Sequence, residues 1–232
     1  MNAAVVIATY NERQNLAGLV AAILQHPGYR VIVVDDDSPD GTGVLADELA
    51  ASSGRRVSVI HRTSARGLGR SLVAGLERAL ESGADLIFQM DADFSHDPEH
   101  LSEMAAAAAD ADLVLGSRYI DGVRVVNWPL HRIMLSSFAN RYVRAITGLD
   151  VTDCTTGFRC WRRDALARLP LKGLISDGYA FLVEQLYLAQ RAGCRIREVP
   201  IIFVERREGA SKLSSSVLIE SAIVPWRLRL KS

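Results

Sequence analysis

Phe88-Gln89-Met90-Asp91-Ala92-Asp93-Phe94-Ser95-His96 is the stretch that decides the fold. The apolar run from Ala84 to Met90 ends in two carboxylates one residue apart. Asp97-Pro98-Glu99 follows, with Asp97 placed to cap a helix that opens on Pro98. The pattern predicts strand, acidic loop, helix, with the acids at the carboxyl end of a buried strand, where ligands bind in open α/β sheets. Residues i and i+2 of a strand share a face, so Asp91 and Asp93 can reach one cation. Two hard oxygen donors suit Mg²⁺ or Mn²⁺, ions that keep positions open for phosphate oxygens. An EF-hand loop would also use Asp91, Asp93, Ser95 and Asp97, but it needs glycine where His96 stands and glutamate where Ser102 stands. A D-x-D pair alone also fits a solvated turn, so the metal–diphosphate reading depends on the rest of the chain.

Outward from this stretch, short apolar runs alternate with helical patterns. Ala3–Ala8, Val31–Val34, Val57–Ile60, the run before Asp91, and Leu113–Gly116 read as buried strands. Between them lie helices marked by Leu16, Leu19, Val20 and Ile23, by the segment through Leu49, by Leu72, Val73, Leu76, Ala79 and Leu80, and by the segment through Ala109. Such alternation implies a mostly parallel sheet covered by helices on both faces. Polar clusters then fall at strand ends: Tyr10 to Glu12, Asp35 to Asp37, Asp91 to Ser95, and Ser117-Arg118. The dinucleotide fingerprint is missing, because Ala8-Thr9-Tyr10-Asn11 follows the first strand and Gly67-Leu68-Gly69 comes late and is too short.

Beyond Arg118 the alternation lapses. Asp121–Pro129 reads as a loop and Leu130–Ile146 as a helix whose buried stripe is Leu135, Phe138, Ala139, Tyr142, Val143 and Ile146. Arg141 and Arg144 lie opposite that stripe and Arg132 beside it. Thr155–Trp161 reads as a strand, Tyr179–Ala192 as a helix and Ile196–Val204 as a late strand. A basic loop, Arg206 to Lys212, leads into a poorly amphipathic last helix.

The 232 residues suit one large domain, and 49% apolar with 23% charged residues allow a sizeable core. Twenty-seven basic and twenty-seven acidic side chains balance, so no overall field draws the chain to nucleic acid. Cys154, Cys160 and Cys194 lack C-x-x-C spacing, which disfavours zinc and disulfides and suits a reducing cytoplasm. No basic region precedes the first apolar run, so a signal peptide is not expected. No apolar stretch approaches the roughly 20 residues of a bilayer span. The run Val217–Trp226 is broken by Glu220, Ser221 and Pro225, so any membrane contact is expected to be peripheral.

Taken together, the motifs resemble family-2 glycosyltransferases of the GT-A fold and, within them, the dolichol- or polyprenol-phosphate mannose synthases. General to such transferases are Thr9-Tyr10-Asn11-Glu12, Val34-Asp35-Asp36-Asp37-Ser38-Pro39-Asp40-Gly41-Thr42, Arg66-Gly67-Leu68-Gly69 and Asp91-Ala92-Asp93. The polyprenol-phosphate branch is matched by Gly116-Ser117-Arg118-Tyr119, Asp153-x-x-x-Gly157-Phe158-Arg159, Asp177-Gly178-Tyr179-x-Phe181-x-x-Glu184, and Glu198-Val199-Pro200-Ile201 with Phe203-Val204-Glu205-Arg206-x-x-Gly209-x-Ser211-Lys212. The resemblance implies one α/β GT-A nucleotide-diphospho-sugar transferase domain over 1–232. Residues 1–118 would bind the nucleotide, and 119–232 the acceptor, with a membrane-proximal last helix. Ala8, Tyr10, Glu12, Val34 and Asp36 would cradle the nucleoside of GDP-mannose, with Arg66 nearby. Asp91, Ala92 and Asp93 would hold Mg²⁺ or Mn²⁺ and the diphosphate, Ser95 contributing more weakly. Arg206 and Lys212 would meet phosphates, and Arg118 would lie between donor and acceptor. Ala8 stands where proline is usual, and Ser95 where some relatives carry glutamine.

The implied reaction is inverting mannosyl transfer to a polyprenol monophosphate at the cytoplasmic face of a membrane, through peripheral contact, a membrane-protein partner or a fused anchor. A polyprenol-phosphate glucosyltransferase and a transferase acting on a hydroxyl are the alternatives. Residue chemistry supports the phosphate acceptor, which is already ionised and needs no strong base; a hydroxyl acceptor needs one, and Asp153 is the candidate. Asp153 and Glu184 also fit a purely structural role in the acceptor loop. Arg132 has no acid one helical turn away. It is therefore read either as an acceptor-phosphate ligand or as one end of a long-range pair with Asp121 or Asp153. His61, His96, His100 and His131 show no ligand spacing, although His96 is close enough in sequence to approach a metal through water.

Overall fold

The computed structural model describes residues 2–64, 66–174, 176, 178–205 and 215–230. The first half alternates strictly: β1 (Ala3–Thr9), α1 (Arg13–Leu24), β2 (Tyr29–Asp35), α2 (Thr42–Ser52), β3 (Val57–His61), α3 (Leu68–Glu81), β4 (Leu86–Met90), α4 (His100–Ala107) and β5 (Leu113–Ser117). The second half adds β6 (Val125–Val126), α5 (Leu130–Thr147), β7 (Arg159–Arg162), α6 (Arg163–Leu166), α7 (Gly178–Arg191), β8 (Ile196–Pro200), β9 (Phe203–Val204) and α8 (Ser215–Leu230). The main sheet runs β3-β2-β1-β4-β7-β5-β8, and β7 alone is antiparallel to its neighbours.

The strands read as continuous apolar runs because both faces are covered. On one face Val5, Ile7, Val31, Val33, Phe88 and Met90 pack under Leu16, Leu19, Val20 and Ile23 of α1. On the other, Ala4, Val6, Ile32, Val34 and Ile87 meet Leu72, Leu76 and Ala79 of α3, with Phe181, Leu182 and Leu186 of α7 in the same cluster. The period-2 alternation of strand side chains produces this division.

Three local expectations are corrected. The strand expected over Thr155–Trp161 begins only at Arg159, because Thr156 donates its hydroxyl to the Gly116 carbonyl at 2.7 Å and holds the preceding residues in a loop. The late strand divides in two. Pro200, lacking an N–H, ends β8, and β9 pairs instead with β6 in a separate two-stranded sheet. The helix after Asp97 opens at His100, although the Asp97 carboxylate does accept the Glu99 N–H at 3.0 Å.

The stripe expected on α5 is also wrong in its first half. Leu135 and Phe138 are 53% and 65% exposed, and the buried positions are Asn140, Val143 and Thr147. The helix packs against α8, while its first turns carry Leu130, Met134, Leu135 and Phe138 into the open.

The approach of α3 to the sheet is set by Gly75, where a Cβ would lie 2.3 Å from Val6 Cγ1 and 2.9 Å from Val34 Cγ2. Both contacts are to branched side chains locked between strands, so neither can swing away. Gly75→Ala is expected to destabilise by about 1–3 kcal/mol through overpacking. Urea denaturation should show a lower midpoint with an unchanged slope.

Candidate active site

Strand order reverses direction at β1, which lies between β2 and β4, and the crevice beyond such a reversal is where α/β sheets take ligands. Register places Ala8 beside Val34 and Ile7 beside Met90, so the loops after β1, β2 and β4 emerge together. Asp36 is buried, ion-paired with Arg62, and accepts the Gly67 N–H at 2.8 Å, which ties the end of β2 to the start of α3. Arg66 reaches back over the same crevice. Its Cζ lies 4.5 Å from the Tyr10 ring centroid, and it donates to the Tyr10 hydroxyl at 2.6 Å and the Asp37 carbonyl at 3.3 Å. Glu12 accepts from Asn15 at 3.0 Å, while its own N–H donates to Thr42 Oγ1 at 3.0 Å. Ala8 and Val34 thus lie side by side at the ends of β1 and β2, and Tyr10, Glu12, Asp36 and Arg66 belong to the loops beyond them.

The acidic loop is held from three sides. Phe94 takes a left-handed backbone, φ 61°, and rests against Gly18 of α1, where a Cβ would meet its Cζ at 3.3 Å. A bulky residue there is strained and persists only when its surroundings enforce it. Buried His96 accepts the Asp91 N–H on Nδ1 at 3.0 Å and stacks on Phe158 with centroids 5.0 Å apart. Burial holds this imidazole below the ordinary histidine range, against the pull of Asp91 and Asp93, so it stays a neutral acceptor. From the far side Gly157 comes so close that a Cβ would stand 3.3 Å from Asp91 Oδ1.

Within the loop, the Asp91 side chain is 45% exposed, whereas Asp93 is buried and accepts both the hydroxyl and the backbone N–H of Ser95, the latter at 3.1 Å. Ser95 therefore shapes Asp93, with its hydroxyl proton directed at that carboxylate. Among the described residues no group of three His, Cys, Asp or Glu gathers to hold a metal. Two carboxylates, one reaching solvent, still fit a hard divalent cation that takes its remaining ligands from a diphosphate and water.

The other centre is Arg118, at the end of β5. Its Nε and Nη2 donate to both oxygens of Asp153 at 2.7 Å each, its own N–H donates to the same carboxylate at 3.1 Å, and Nη2 also reaches Thr155 Oγ1 at 2.7 Å. Asp153 is fully buried. Burial opposes its ionisation, but the Arg118 guanidinium and the hydrogen bonds hold its carboxyl below the usual carboxylate range. A carboxylate so enclosed is no proton acceptor for substrate, and the base role considered for Asp153 gives way to positioning Arg118. Glu198 of β8 supports it, accepting the Thr152 N–H at 2.7 Å, the Thr152 hydroxyl at 2.6 Å and the Asp153 N–H at 3.0 Å. Asn140 of α5 accepts the Cys154 N–H at 2.7 Å.

Arg132 lies in the first turn of α5, its Cζ 4.1 Å from the Trp128 ring centroid, and is ion-paired with Glu205 just past β9. The partner is neither Asp121 nor Asp153. Phe203 joins the two centres, edge-on to His96 at 5.5 Å and to Trp128 at 5.3 Å. Arg206 and Lys212 lie outside the described residues. Sequence reasoning missed the roles of Arg62, Asn140, Glu198, Trp128 and Glu205. Asn140 and Glu198 leave a trace, as polar residues interrupting an apolar helix face and a strand.

The architecture is the GT-A fold, and the chain belongs to Glycosyl transferase family 2, whose pattern it matches over residues 4–169. It is a glycosyltransferase. It is 45% identical to a polyprenol monophosphomannose synthase of Mycolicibacterium smegmatis, over 97% of this chain and 86% of that protein. It is 43% identical to an undecaprenyl-phosphate mannosyltransferase of Micrococcus luteus, over 96% and 92%. A dolichol-phosphate mannosyltransferase of Pyrococcus furiosus shares 36% identity over 95% of this chain and 61% of that one. In shape it is similar to glucosyl-3-phosphoglycerate synthase from Mycobacterium tuberculosis solved with Mn²⁺, UDP-glucose and phosphoglyceric acid. That likeness has a TM-score of 0.70 at 18% identity, over 99% of this chain and 80% of that one. The same enzyme solved with Mg²⁺ and UDP gives a TM-score of 0.67.

Asp153→Asn removes the charge that balances Arg118 and is expected to destabilise by about 3–5 kcal/mol, because a buried guanidinium is left unpaired. The folded carboxyl titrates below its unfolded value. Its contribution is therefore complete above about pH 4 and is lost as pH falls through the lower folded value. Thermal melts across pH should show a gap between wild type and variant that is constant near neutrality and closes only in acid.

Proposed function

We propose that the protein transfers mannose from GDP-mannose to a polyprenol monophosphate with inversion, giving a polyprenyl β-mannosyl phosphate. The observation that carries this reading is the pairing of Arg118 with buried Asp153: the site presents a fixed guanidinium to the acceptor and spends the nearby carboxylate on holding it. A phosphate acceptor arrives ionised and needs a cation, not a base, whereas a hydroxyl acceptor needs the base that this arrangement withholds. The similarity to proteins named as polyprenol- and undecaprenyl-phosphate mannosyl enzymes supports the same acceptor class and sugar.

On this reading Ala8, Tyr10, Glu12, Val34, Asp36 and Arg66 line the nucleoside end of the crevice. Asp91 and Asp93 hold Mg²⁺ or Mn²⁺, with Ser95 fixing the rotamer of Asp93. The cation, when bound, neutralises charge growing on the departing diphosphate. Arg206 and Lys212 are assigned to donor phosphates by resemblance. Arg118 and Arg132 orient the acceptor so that one phosphate oxygen faces the anomeric carbon, on the side opposite the leaving diphosphate. Displacement in line then inverts an α-linked donor to a β-linked product. We assign residues 1–118 to donor binding and 119–232 to the acceptor, within one domain.

The acceptor is a lipid, and no helix among the described residues is long and apolar enough to cross a membrane. Leu130, Met134, Leu135 and Phe138 of α5 and Ile223, Trp226 and Leu230 of α8 are exposed. Arg227 and Arg229 fall between Trp226 and Leu230, a pairing suited to lying in the interface of the cytoplasmic leaflet.

Two measurements test this function. Asp93→Asn should abolish GDP-mannose binding by calorimetry in Mn²⁺ and most turnover, while the melting temperature holds. Undiminished activity in excess chelator would overturn the metal role, and UDP-glucose binding in preference to GDP-mannose would overturn the donor. Wild type should float with anionic liposomes at low salt, and Leu135→Glu with Phe138→Glu should abolish flotation while sparing donor binding. Flotation unchanged in that variant would remove α5 from the membrane face.

A further inference from the structure

Near Arg118 and Arg132, two hydrogen-bond donors have no acceptor among the described residues. The Trp128 indole N–H and the Tyr119 hydroxyl are buried without a partner among the described residues. Trp128 lies between the two arginines, 4.1 Å from Arg132 Cζ and 5.7 Å from Arg118 Cζ, and the Tyr119 ring is 5.4 Å from Arg118 Cζ. Unsatisfied buried donors are uncommon and need explaining. Beside two guanidiniums, they mark a place for an anion.

Part of that place is filled by the protein itself. Arg118 is balanced by Asp153, which is fully buried and cannot leave. Arg132 is balanced by Glu205, and both of those side chains are partly open to solvent, 23% and 34% exposed. Glu205 has its backbone fixed, its N–H donating to the Val126 carbonyl at 3.1 Å, so only its side chain needs to swing away. The two ion pairs cancel. A phosphate monoester carrying roughly −1.5 to −2 would therefore meet two arginines whose charges are already balanced, beside a carboxylate that repels it. If Glu205 turns out to solvent, Arg132 is released to the incoming oxygens and offsets about one unit of their charge.

We propose that Glu205 is an internal stand-in for the acceptor phosphate and a determinant of acceptor specificity. It holds Arg132 in the free enzyme, and an acceptor must carry enough negative charge to displace it. A neutral hydroxyl cannot do so, which is discrimination by a repulsive element as much as by an attractive one. The proposal rests on the reading of Arg132 as an acceptor ligand. It adds that Arg132 is already engaged and is exchanged between anions.

Two roles for Glu205 predict opposite signs. As a stand-in, Glu205→Gln lowers the KM for a short-chain polyprenyl phosphate by roughly three- to ten-fold and strengthens inhibition by inorganic phosphate in parallel. Affinity for GDP-mannose by calorimetry stays near wild type. As a support for Arg132, the same change raises acceptor KM. Glu205→Asp, which keeps the charge but shortens the reach, should fall between wild type and Glu205→Gln, and serves if the glutamine variant folds poorly. Combining Glu205→Gln with Arg132→Ala should give the KM of Arg132→Ala alone, itself expected to be about 10²-fold above wild type. A KM unchanged or raised in Glu205→Gln, with Arg132→Ala still impaired for acceptor, overturns the stand-in alone. An acceptor KM unaffected by Arg132→Ala overturns the acceptor reading beneath it.

Discussion

The buried pair of Arg118 and Asp153 is the interaction on which the proposed acceptor side of the site depends. Taking both charges out of water costs several kcal/mol, and packed apolar groups of like volume would often stabilise the fold as well or better. What the pair provides is direction. Arg118 is held through Nε, Nη2 and its own backbone N–H, so its planar fork cannot rotate. The acid is fixed in turn because Glu198 and Asn140 bind the chain on either side of it, from β8 and α5. Elements far apart in sequence therefore converge on one guanidinium orientation. Arg159 shows the same economy deeper in: fully buried, it donates to the Thr156 carbonyl and Gln185, and burial lowers its pKa to about 9.

On the donor side the constraint is backbone, not charge. Asp91 and Asp93 repel each other, and on the proposed reading they would also repel a diphosphate without a cation, so attraction between them cannot shape the loop. It uses sterics and main-chain bonds instead. Phe94 is kept left-handed against Gly18, the Asp91 N–H is fastened to His96, and Gly157 leaves room for the Asp91 carboxylate. Contacts of this kind fix a loop before a ligand binds, which is how preorganisation lowers the work of binding.

The sheet was legible because burial on both faces makes strands read as unbroken apolar runs, and the loops between them fell at strand ends as the alternation required. The acidic loop and Arg118 could be read at strand ends from local strings, and the resemblance supplied the roles expected of them. What escaped depends on distance in the chain. Arg132 and Glu205 are 73 residues apart and meet only because β6 pairs with β9, two-residue strands too short to leave a periodic signal. Asp153 was a candidate base because a hydroxyl acceptor would need a carboxylate; its partner, Arg118, lies 35 residues away at the end of β5. The stripe on α5 failed for a different reason. Periodicity reports which residues share a face, and it assumes that an apolar face turns inward.

That failure ties the helix to the proposed lipid acceptor. α5 opens beside the two-stranded sheet with Arg132 in its first turn, and Met134, Leu135 and Phe138 follow within two turns on exposed positions. At about 1.5 Å of rise per residue, the guanidinium and the apolar side chains lie within roughly 9 Å along the axis. A polyprenol phosphate has the same order of parts, with a charged head joined directly to an apolar chain. One helix can then meet both, gripping the phosphate at its first turn while its exposed side chains rest where the prenyl chain leaves the bilayer. The C-terminal half, anchored through Asn140, Val143 and Thr147, keeps that arrangement in register with Asp153 and so with Arg118. An apolar face left open on a helix that also carries the proposed phosphate ligand would suit extraction of a lipid headgroup.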